Sequence, residues 1–274
     1  LQILGVIHFI SGSQIYKSCD FTSYLPLLLL YLITPKSNFL TLQEMNQMST
    51  ASISQDHWLE LISQCRSSGL TDRQWCIQNG IPTSTFYYHV KALRDMCFMI
   101  TMYDTAARDC EMLNLRLNSL DLKDGSPKIR LEGKGNKVRY VPLMKKTVTH
   151  LKRYIKVYHS EDAREEDWLF YTVSHGTHNK MSDDNVARFL KKYTIMAREV
   201  CDEMPAKVTP HQFRHTRAMH LYRHGMPLQL LAEYMGHASV VSTQIYAYAD
   251  TEMKRRAIEK CQGGAAISAP PEWQ

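Results

Sequence analysis

The sequence lacks paired cysteines. Seven are scattered singly among 274 residues, and no two of them form a C-x-x-C pair. This spacing gives no sign of a zinc site or a disulfide framework. We therefore predict small buried thiols and a reducing, cytoplasmic compartment.

The sequence also lacks an apolar run long enough to span a membrane. The apolar stretch Tyr24–Ile33 is about half the length that a spanning helix needs. No cluster of positive charge precedes it and no small-residue cleavage site follows it, so it matches a signal peptide poorly. We expect no membrane partner and assign residues 1–48 no function, as a disordered or spurious stretch. Because the chain begins with Leu, Met45 and Met48 are candidate starts.

Excess charge is missing from the first part of the chain. Residues 1–100 hold six basic and six acidic side chains, so the whole net charge of +6 lies in residues 101–274. A basic second half favours a polyanionic partner, although many basic proteins never bind nucleic acid.

Residues 49–95 have the pattern of a helix-turn-helix. Thr71 is a candidate helix N-cap, Gly80 marks a helix end, and Thr83 can cap a helix over Ser84–Arg94. This stretch also resembles the small accessory DNA-binding protein of some insertion-sequence transposons. The predicted DNA contacts are Thr85, Tyr87, Lys91 and Arg94. The alternative is a helical packing unit without a ligand.

Residues 96–262 are predicted to form a second domain, followed by a disordered tail over 263–274. A turn in GKGN between two short alternating strands predicts a β-hairpin over 127–143. The predicted fold is therefore mainly α with a small antiparallel β-hairpin (α+β). The predicted helices cover 103–118, Thr147–Tyr158, Asp183–Cys201, Pro210–His224 with Thr209 as cap, Pro227–Met235, and a segment capped by Ser239 that carries Tyr246.

Three side chains of one predicted helix suit an anionic ligand. His211, Arg214 and His215 are three and four residues apart, so they share one helix face. Such a face suits a phosphate, although a single His is more often a satisfied polar group than a catalyst. A metal site is not expected, because no carboxylate lies at ligand spacing and Arg is not a ligand.

Other candidates are unremarkable when each is taken alone. Arg108 with Glu111 reads as a solvated ion pair, Lys134 as a turn residue and Tyr246 as part of the core. The region Lys123–Lys146, however, holds eight basic and two acidic residues, which favours phosphate contact. Lys137 and Arg139 are the predicted DNA contacts there.

Together, TAARDCEMLNL, EGKGNKVRYVPL, TPHQFRHTRAMHLY and LAEYMGHASVVSTQIYAY resemble the catalytic domain of the tyrosine recombinases, over about Met99–Lys260. That family cuts and rejoins DNA without a cofactor through a 3′-phosphotyrosyl bond. The resemblance implies that Arg108 and Arg214 hold the phosphate, His211 is the base, Lys134 is the general acid, His237 donates a hydrogen bond, Tyr246 is the nucleophile, and Glu111 orients Arg108 or His211.

The same resemblance implies the partners. These are double-stranded DNA and a homotetramer on that DNA, joined through residues 251–260. The N-terminal clamp domain of the family is not found, and the helix before Arg108 looks shortened or replaced. An alternative is therefore a catalytically impaired DNA-binding remnant of a mobile element. A type IB topoisomerase, which uses the same chemistry, is a further alternative.

Overall fold

In the residues that the structure describes, the protein is mainly helical with two small antiparallel sheets, which confirms the predicted α+β class. The computed structural model describes residues 55–123, 125–133, 135–160, 162–174, 177–199, 201, 204–249, 255 and 258. The helices are α1 (Gln55–Ser67), α2 (Asp72–Gln78), α3 (Thr83–Thr105), α4 (Asp109–Leu113), α5 (Lys145–Tyr158), α6 (Asp183–Arg198), α7 (Pro210–Arg223), α8 (Leu228–Met235) and α9 (Gln244–Ala249). The strands are β1 (Leu120–Asp121), β2 (Lys128–Glu132), β3 (Val138–Pro142), β4 (Tyr171–Ser174) and β5 (Thr177–Lys180).

An N-terminal unit is formed by α1, α2 and the first half of α3. Its core holds Trp58, Ile62, Trp75 and Phe86. The predicted cap at Thr71 is confirmed, since its side chain and that of Gln74 form a reciprocal capping box. At the start of α3 the prediction is wrong. Pro82 occupies the cap position and Thr83 is already helical, because the fixed φ of proline leads the chain into the helix without a side-chain cap.

Helix α3 is much longer than the sequence suggested. The helix predicted over Ser84–Arg94 continues to Thr105, so the predicted helix over 103–118 is wrong. Ala106 then adopts the left-handed conformation with φ of 48°, which ends α3 before α4 begins. Buried apolar side chains recur along the whole of α3, and burial keeps the chain helical through the junction. The domain boundary drawn between residues 95 and 96 falls inside this helix.

The main core surrounds the predicted β-hairpin, which is confirmed as β2 and β3. Ile129 pairs with Val141 and Leu131 pairs with Arg139 in an antiparallel register, and β1 adds a third strand beside β2. Ile129, Leu131 and Val141 pack against buried side chains of α3, α5, α6 and α7. The hairpin of β4 and β5 was not predicted, because all four residues of β5 are exposed and show no apolar alternation.

Helices α7, α8 and α9 pack against one another. Thr209 and Gln212 form a capping box at the start of α7, with Pro210 in the first turn as predicted. Ser239 caps as predicted, but it caps a short 3-10 helix (Val240–Thr243) that leads into α9. None of the described helices is both long enough and apolar enough to cross a membrane.

Candidate active site

Glu111 is fixed by the start of α4. Arg108 is the N-cap of this helix and Glu111 is its third residue, so the carboxylate reaches back to the Arg108 backbone N–H, which donates to Oε2 over 2.7 Å. Nη1 of Arg108 donates to Oε1 over 2.9 Å. Burial alone would raise the pKa of Glu111, but hydrogen bonds from Arg139 and Arg108 hold it below its ordinary value. The ionised Glu111 therefore orients Arg108, one of the two partners predicted for it.

Arg139 faces the protein interior, which corrects the prediction that it contacts DNA. Its Nη1 and Nη2 donate to the two carboxylate oxygens of Glu111 over 2.6 and 2.8 Å, and its Nε donates to the Tyr234 carbonyl over 3.1 Å. The physical reason is strand alternation. Arg139 lies two residues before the buried Val141, so both point to the core face of β3. That period was visible in the sequence and could have identified the orientation.

Arg214 is held at the end of α8. Its side chain is buried, with Nη1 donating to the Ala106 carbonyl over 2.5 Å and Nη2 to the Met235 carbonyl. Nη2 of Arg108 donates to the next carbonyl, that of Gly236, over 3.2 Å. The two guanidiniums thus donate hydrogen bonds to consecutive carbonyls at the C-terminal end of a helix. Carbonyls there lack helical partners, and the helix dipole attracts cations.

These arginines change the acidity of their neighbours. Burial lowers the pKa of Arg214 to about 10, helped by repulsion from Arg108 and Arg139, so the guanidinium stays charged at neutral pH. Burial and the charges of the three arginines lower the pKa of His237 to about 4. The imidazole is therefore neutral, and its Nδ1 lies 2.8 Å from Oγ1 of the buried Thr243. Thr243 was not singled out in the sequence, because its role depends on this turn.

Tyr246 lies in α9 beside these cations. Its side chain is 3% exposed and packs against a cluster formed by Ala106, Ala218, Met219, Leu231 and Met235. Burial raises the pKa of the phenol, and the nearby charge of Arg214 offsets part of that rise. The phenol is therefore protonated at neutral pH.

The two histidines on the face of α7 differ in their contacts. The ring of His215 lies 5.1 Å from that of Tyr246. His211, the predicted base, is exposed at the first turn of α7. Sequence spacing placed both on one face, but it could not tell which one reaches the phenol.

The structure brings together five of the seven predicted catalytic residues: Arg108, Glu111, Arg214, His237 and Tyr246. His211 precedes Arg214 by three residues on α7. Lys134 lies outside the described residues. Within the described part of the chain, no group of three or more His, Cys, Asp or Glu side chains is arranged to hold a metal ion.

The predicted contacts of the N-terminal unit divide into two kinds. Thr85, Tyr87 and Lys91 are exposed, as is Lys137 in the main hairpin. Arg94 is buried, which corrects its assignment as a DNA contact. Its Nε and Nη2 donate to Oδ1 of Asp95 over 3.0 and 2.7 Å. The reason is that α3 continues into the main core, so this position of the helix faces protein.

The sequence is similar to integrases and tyrosine recombinases. Residues 83–253 match the phage integrase family. Tyrosine recombinase XerA of Pyrococcus furiosus is 30% identical over 168 residues, which are 61% of this chain and 54% of XerA. Tyrosine recombinase XerC of Thermodesulfovibrio yellowstonii is 34% identical over 159 residues, which are 57% of this chain and 50% of XerC. The chain thus spans about half the length of these relatives.

A solved structure shares the fold. The Tn1549 transposon integrase, solved in complex with transposon right end DNA, superposes with a TM-score of 0.51 at 14% identity. The superposition covers 96% of this chain and 99% of that one. The match to the family begins at Thr83, the first residue of α3, which is earlier than the start near Met99 that the motifs suggested.

Proposed function

The chain belongs to the phage integrase family, and on that premise we propose that it is a site-specific DNA recombinase. It cuts and rejoins DNA through a covalent bond between Tyr246 and a backbone phosphate. The observation that carries the proposal is the position of the Tyr246 phenol beside Arg214, in a cluster that also holds Arg108 and His237.

The residue types suit attack on a phosphodiester. A phosphodiester is a monoanion whose non-bridging oxygens gain charge in the transition state, and two guanidiniums can bind those oxygens in a fixed geometry. Arg108 and Arg214 are already anchored to carbonyls of the protein, so they need little rearrangement when charge develops. The neutral His237 supplies a hydrogen bond to the same oxygens if its Nε2 carries the hydrogen.

The reaction exchanges one phosphodiester for another. Oη of Tyr246 attacks phosphorus, the bond to the 5′ oxygen breaks, and a 3′-phosphotyrosyl bond forms. The phenol loses a proton, for which His211 is the acceptor that the family resemblance implies, while the ring next to the phenol is that of His215. The leaving 5′ oxygen gains a proton, for which Lys134 is the proposed donor. Attack by a 5′ hydroxyl from another duplex reverses the step and gives a recombined strand, so no external energy source is needed.

The proposed partner is double-stranded DNA. The Tn1549 integrase, which shares the fold, was solved in complex with transposon DNA. Lys137, Thr85 and Lys91 are exposed, so they are available to contact DNA, and we propose that they do. Assembly of four copies through residues 251–260 stays a prediction, because most of that segment lies outside the described residues. A cytoplasmic location also stays a prediction.

The test uses a pool of duplexes with a nick next to a randomised sequence. Cleavage beside the nick releases a short fragment, so the covalent complex cannot religate and accumulates. We expect the full chain to form a protein–DNA adduct that survives denaturation, and Tyr246→Phe to form none. Sequencing the trapped DNA then gives the preferred site. An intact, folded wild-type chain that binds the pool without any adduct would overturn the proposal.

That outcome would favour a DNA-binding protein that does not cleave. The burial of Tyr246 is the observation that speaks for it, because a nucleophile that is 3% exposed must move, or be reached by DNA, before it can attack. Equal binding by the wild type and Tyr246→Phe, with no adduct from either, would support this second function.

A further inference from the structure

The carboxylate of Glu111 is saturated with hydrogen bonds. Oε1 accepts from Nη1 of Arg108 and Nη1 of Arg139, and Oε2 accepts from the Arg108 backbone N–H and Nη2 of Arg139. An ionised carboxylate offers about four lone-pair sites, and all four are used here. Arg139 takes two of them and leaves the Arg108 side chain a single hydrogen bond to Glu111.

Two glycines pack against this ion pair. A Cβ at Gly133 would lie 2.9 Å from Oε1 of Glu111, and one at Gly236 would lie 2.9 Å from Nη1 of Arg139. Both distances are shorter than a Cβ tolerates from a non-bonded atom. The backbone of the β2–β3 turn and that of the α8 end therefore confine the Glu111–Arg139 pair from two sides.

Arg108 differs from Arg139 in exposure. Its side chain is 38% exposed, whereas those of Arg139 and Glu111 are 13% and 0% exposed. Of these two arginines, Arg108 is therefore the one that is open to a phosphate. A planar guanidinium prefers to grip a carboxylate with two parallel bonds, so a Glu111 with vacant sites would compete with the phosphate for Arg108.

Resting on the proposed function, we propose that Arg139 is a positioning residue that occupies Glu111 and so keeps Arg108 available to the scissile phosphate. It also ties β3, and with it the hairpin that carries Lys134, to the arginine that holds the substrate. Arg139 touches no DNA in this role and acts through Glu111.

The test compares Arg139→Met, Arg139→Lys and the double variant Arg139→Met with Glu111→Gln in the full chain. Arg139→Met frees two sites of a buried carboxylate, which draws Arg108 inward, and misplacement of about 1 Å slows catalysis about 100-fold. We expect that loss in the rate of adduct formation, with little change in non-covalent DNA affinity measured in the Tyr246→Phe background. Arg139→Lys keeps the charge but lacks the two-bond grip, so we expect it to slow adduct formation as well.

The double variant separates positioning from support of the fold. A neutral Gln holds Arg108 more weakly than a carboxylate, so adding Glu111→Gln to Arg139→Met should recover part of the lost rate. Glu111→Gln also removes an unpaired buried charge and so restores stability. Rates are therefore compared at a temperature where chemical denaturation shows every variant to be fully folded, and there a role in stability alone would leave all rates equal to that of the wild type. A rate for Arg139→Met equal to that of the wild type, or a double variant slower than the single one, would overturn the inference. Arg139→Lys decides the case if Arg139→Met does not fold, because an unchanged rate there would also overturn it.

A second readout does not depend on catalysis. Phenylglyoxal modifies accessible guanidiniums, and peptide mass spectrometry reports the modification of Arg108. We expect Arg108 to react more slowly in Arg139→Met than in the wild type, and unchanged reactivity would contradict the inference. If the wild type forms no adduct, the proposed function fails and this measurement alone decides the role of Arg139.

Discussion

Two regions of this protein present polar or basic side chains to a predicted DNA partner, and they do so in different ways. In the cluster around Glu111, Arg108 and Arg214 are each anchored to backbone carbonyls before any ligand arrives. In the N-terminal unit, Thr85 and Lys91 lie exposed on the surface of α3. About 30 Å of helix separates Thr85 from the C-terminal end of α3 at Thr105, so the two regions would meet different parts of a duplex.

The difference matches two different tasks. Stabilising a transition state requires charges that are already in place, because reorganisation during the reaction reduces the gain. Contact with the flanking duplex adds affinity through counterion release, for which a mobile exposed Lys is sufficient. Substitutions should therefore reduce rate or stability in the anchored region and affinity alone at the exposed surface.

Arg94 is the central residue of α3 and is anchored by Asp95, so its loss should have the largest effect on stability. Arg94→Met leaves the buried Asp95 without its ion-pair partner, and removing one member of such a pair costs about 3–5 kcal/mol in the free energy of unfolding. Chemical denaturation would measure this loss. Lys91→Met, on the exposed face of the same helix, is the matched control and should change stability little.

The loss in Arg94→Met should depend on pH. Burial already raises the pKa of Asp95 above its ordinary value despite the attraction of Arg94, and removing Arg94 raises it further. A folded pKa above the unfolded one gives stability that is present at low pH and lost as pH rises through the folded pKa. The deficit relative to wild type should therefore be smaller at pH 4 than at pH 7. Adding Asp95→Asn should remove this dependence, and its persistence would contradict the explanation.

In the anchored cluster, Arg214→Lys should cause the largest loss of rate. The planar guanidinium of Arg214 binds the Ala106 and Met235 carbonyls and still has N–H groups for a phosphate. The ammonium group of a lysine cannot reach all three partners, so stabilisation of the developing charge is lost. We expect adduct formation to fall about 100- to 1,000-fold, as when one donor to a developing oxyanion is removed. Arg188→Lys on the exposed face of α6 is the control. A loss of less than about tenfold, or 1.4 kcal/mol, would indicate that Arg214 does not contact the reacting phosphate.

The sequence predicted those parts of the site that depend on residue type and order. Arg108, Arg214, His237 and Tyr246 all follow from the sequence motifs alone. The pairing of Glu111 with Arg139 was not, because it joins a helix start to a strand 28 residues away. Strand alternation beside Val141 contained the needed signal, but the excess of basic residues in the same hairpin favoured a surface interpretation.

Helix boundaries were predictable where capping residues mark them. Thr71 and Thr209 each begin a helix through a reciprocal side-chain hydrogen bond, which depends only on residues within one turn. The length of α3 was not predictable, since its second half is buried on nearly every side and shows no amphipathic period. Arg94 was therefore predicted to be a surface residue, although it is buried.

Two glycines in left-handed conformations allow the regions to be compared directly. Gly80 in the N-terminal unit has φ of 65° and open space where a Cβ would lie, while Gly236 has φ of 62° and a Cβ there would lie 2.9 Å from Nη1 of Arg139. Replacing either by Ala should cost about 1–2 kcal/mol in the free energy of unfolding from the backbone alone. Only Gly236→Ala should also slow adduct formation, because its Cβ displaces Arg139. Equal adduct rates for the two variants would show that this contact does not matter to the site.

The smallest expected effect is at the exposed surface of α3. Lys91→Ala should leave folding and the rate of adduct formation at saturating DNA unchanged, while weakening DNA binding. If Lys91 neutralises one phosphate, the slope of log affinity against log salt concentration should fall in magnitude by about 1. Fluorescence anisotropy over a salt series measures that slope, with Lys156→Ala on the exposed face of α5 as the control. Identical slopes for the Lys91→Ala variant and the wild type would remove Lys91 from the DNA interface, and would favour the alternative that residues 49–95 are a packing unit without a ligand.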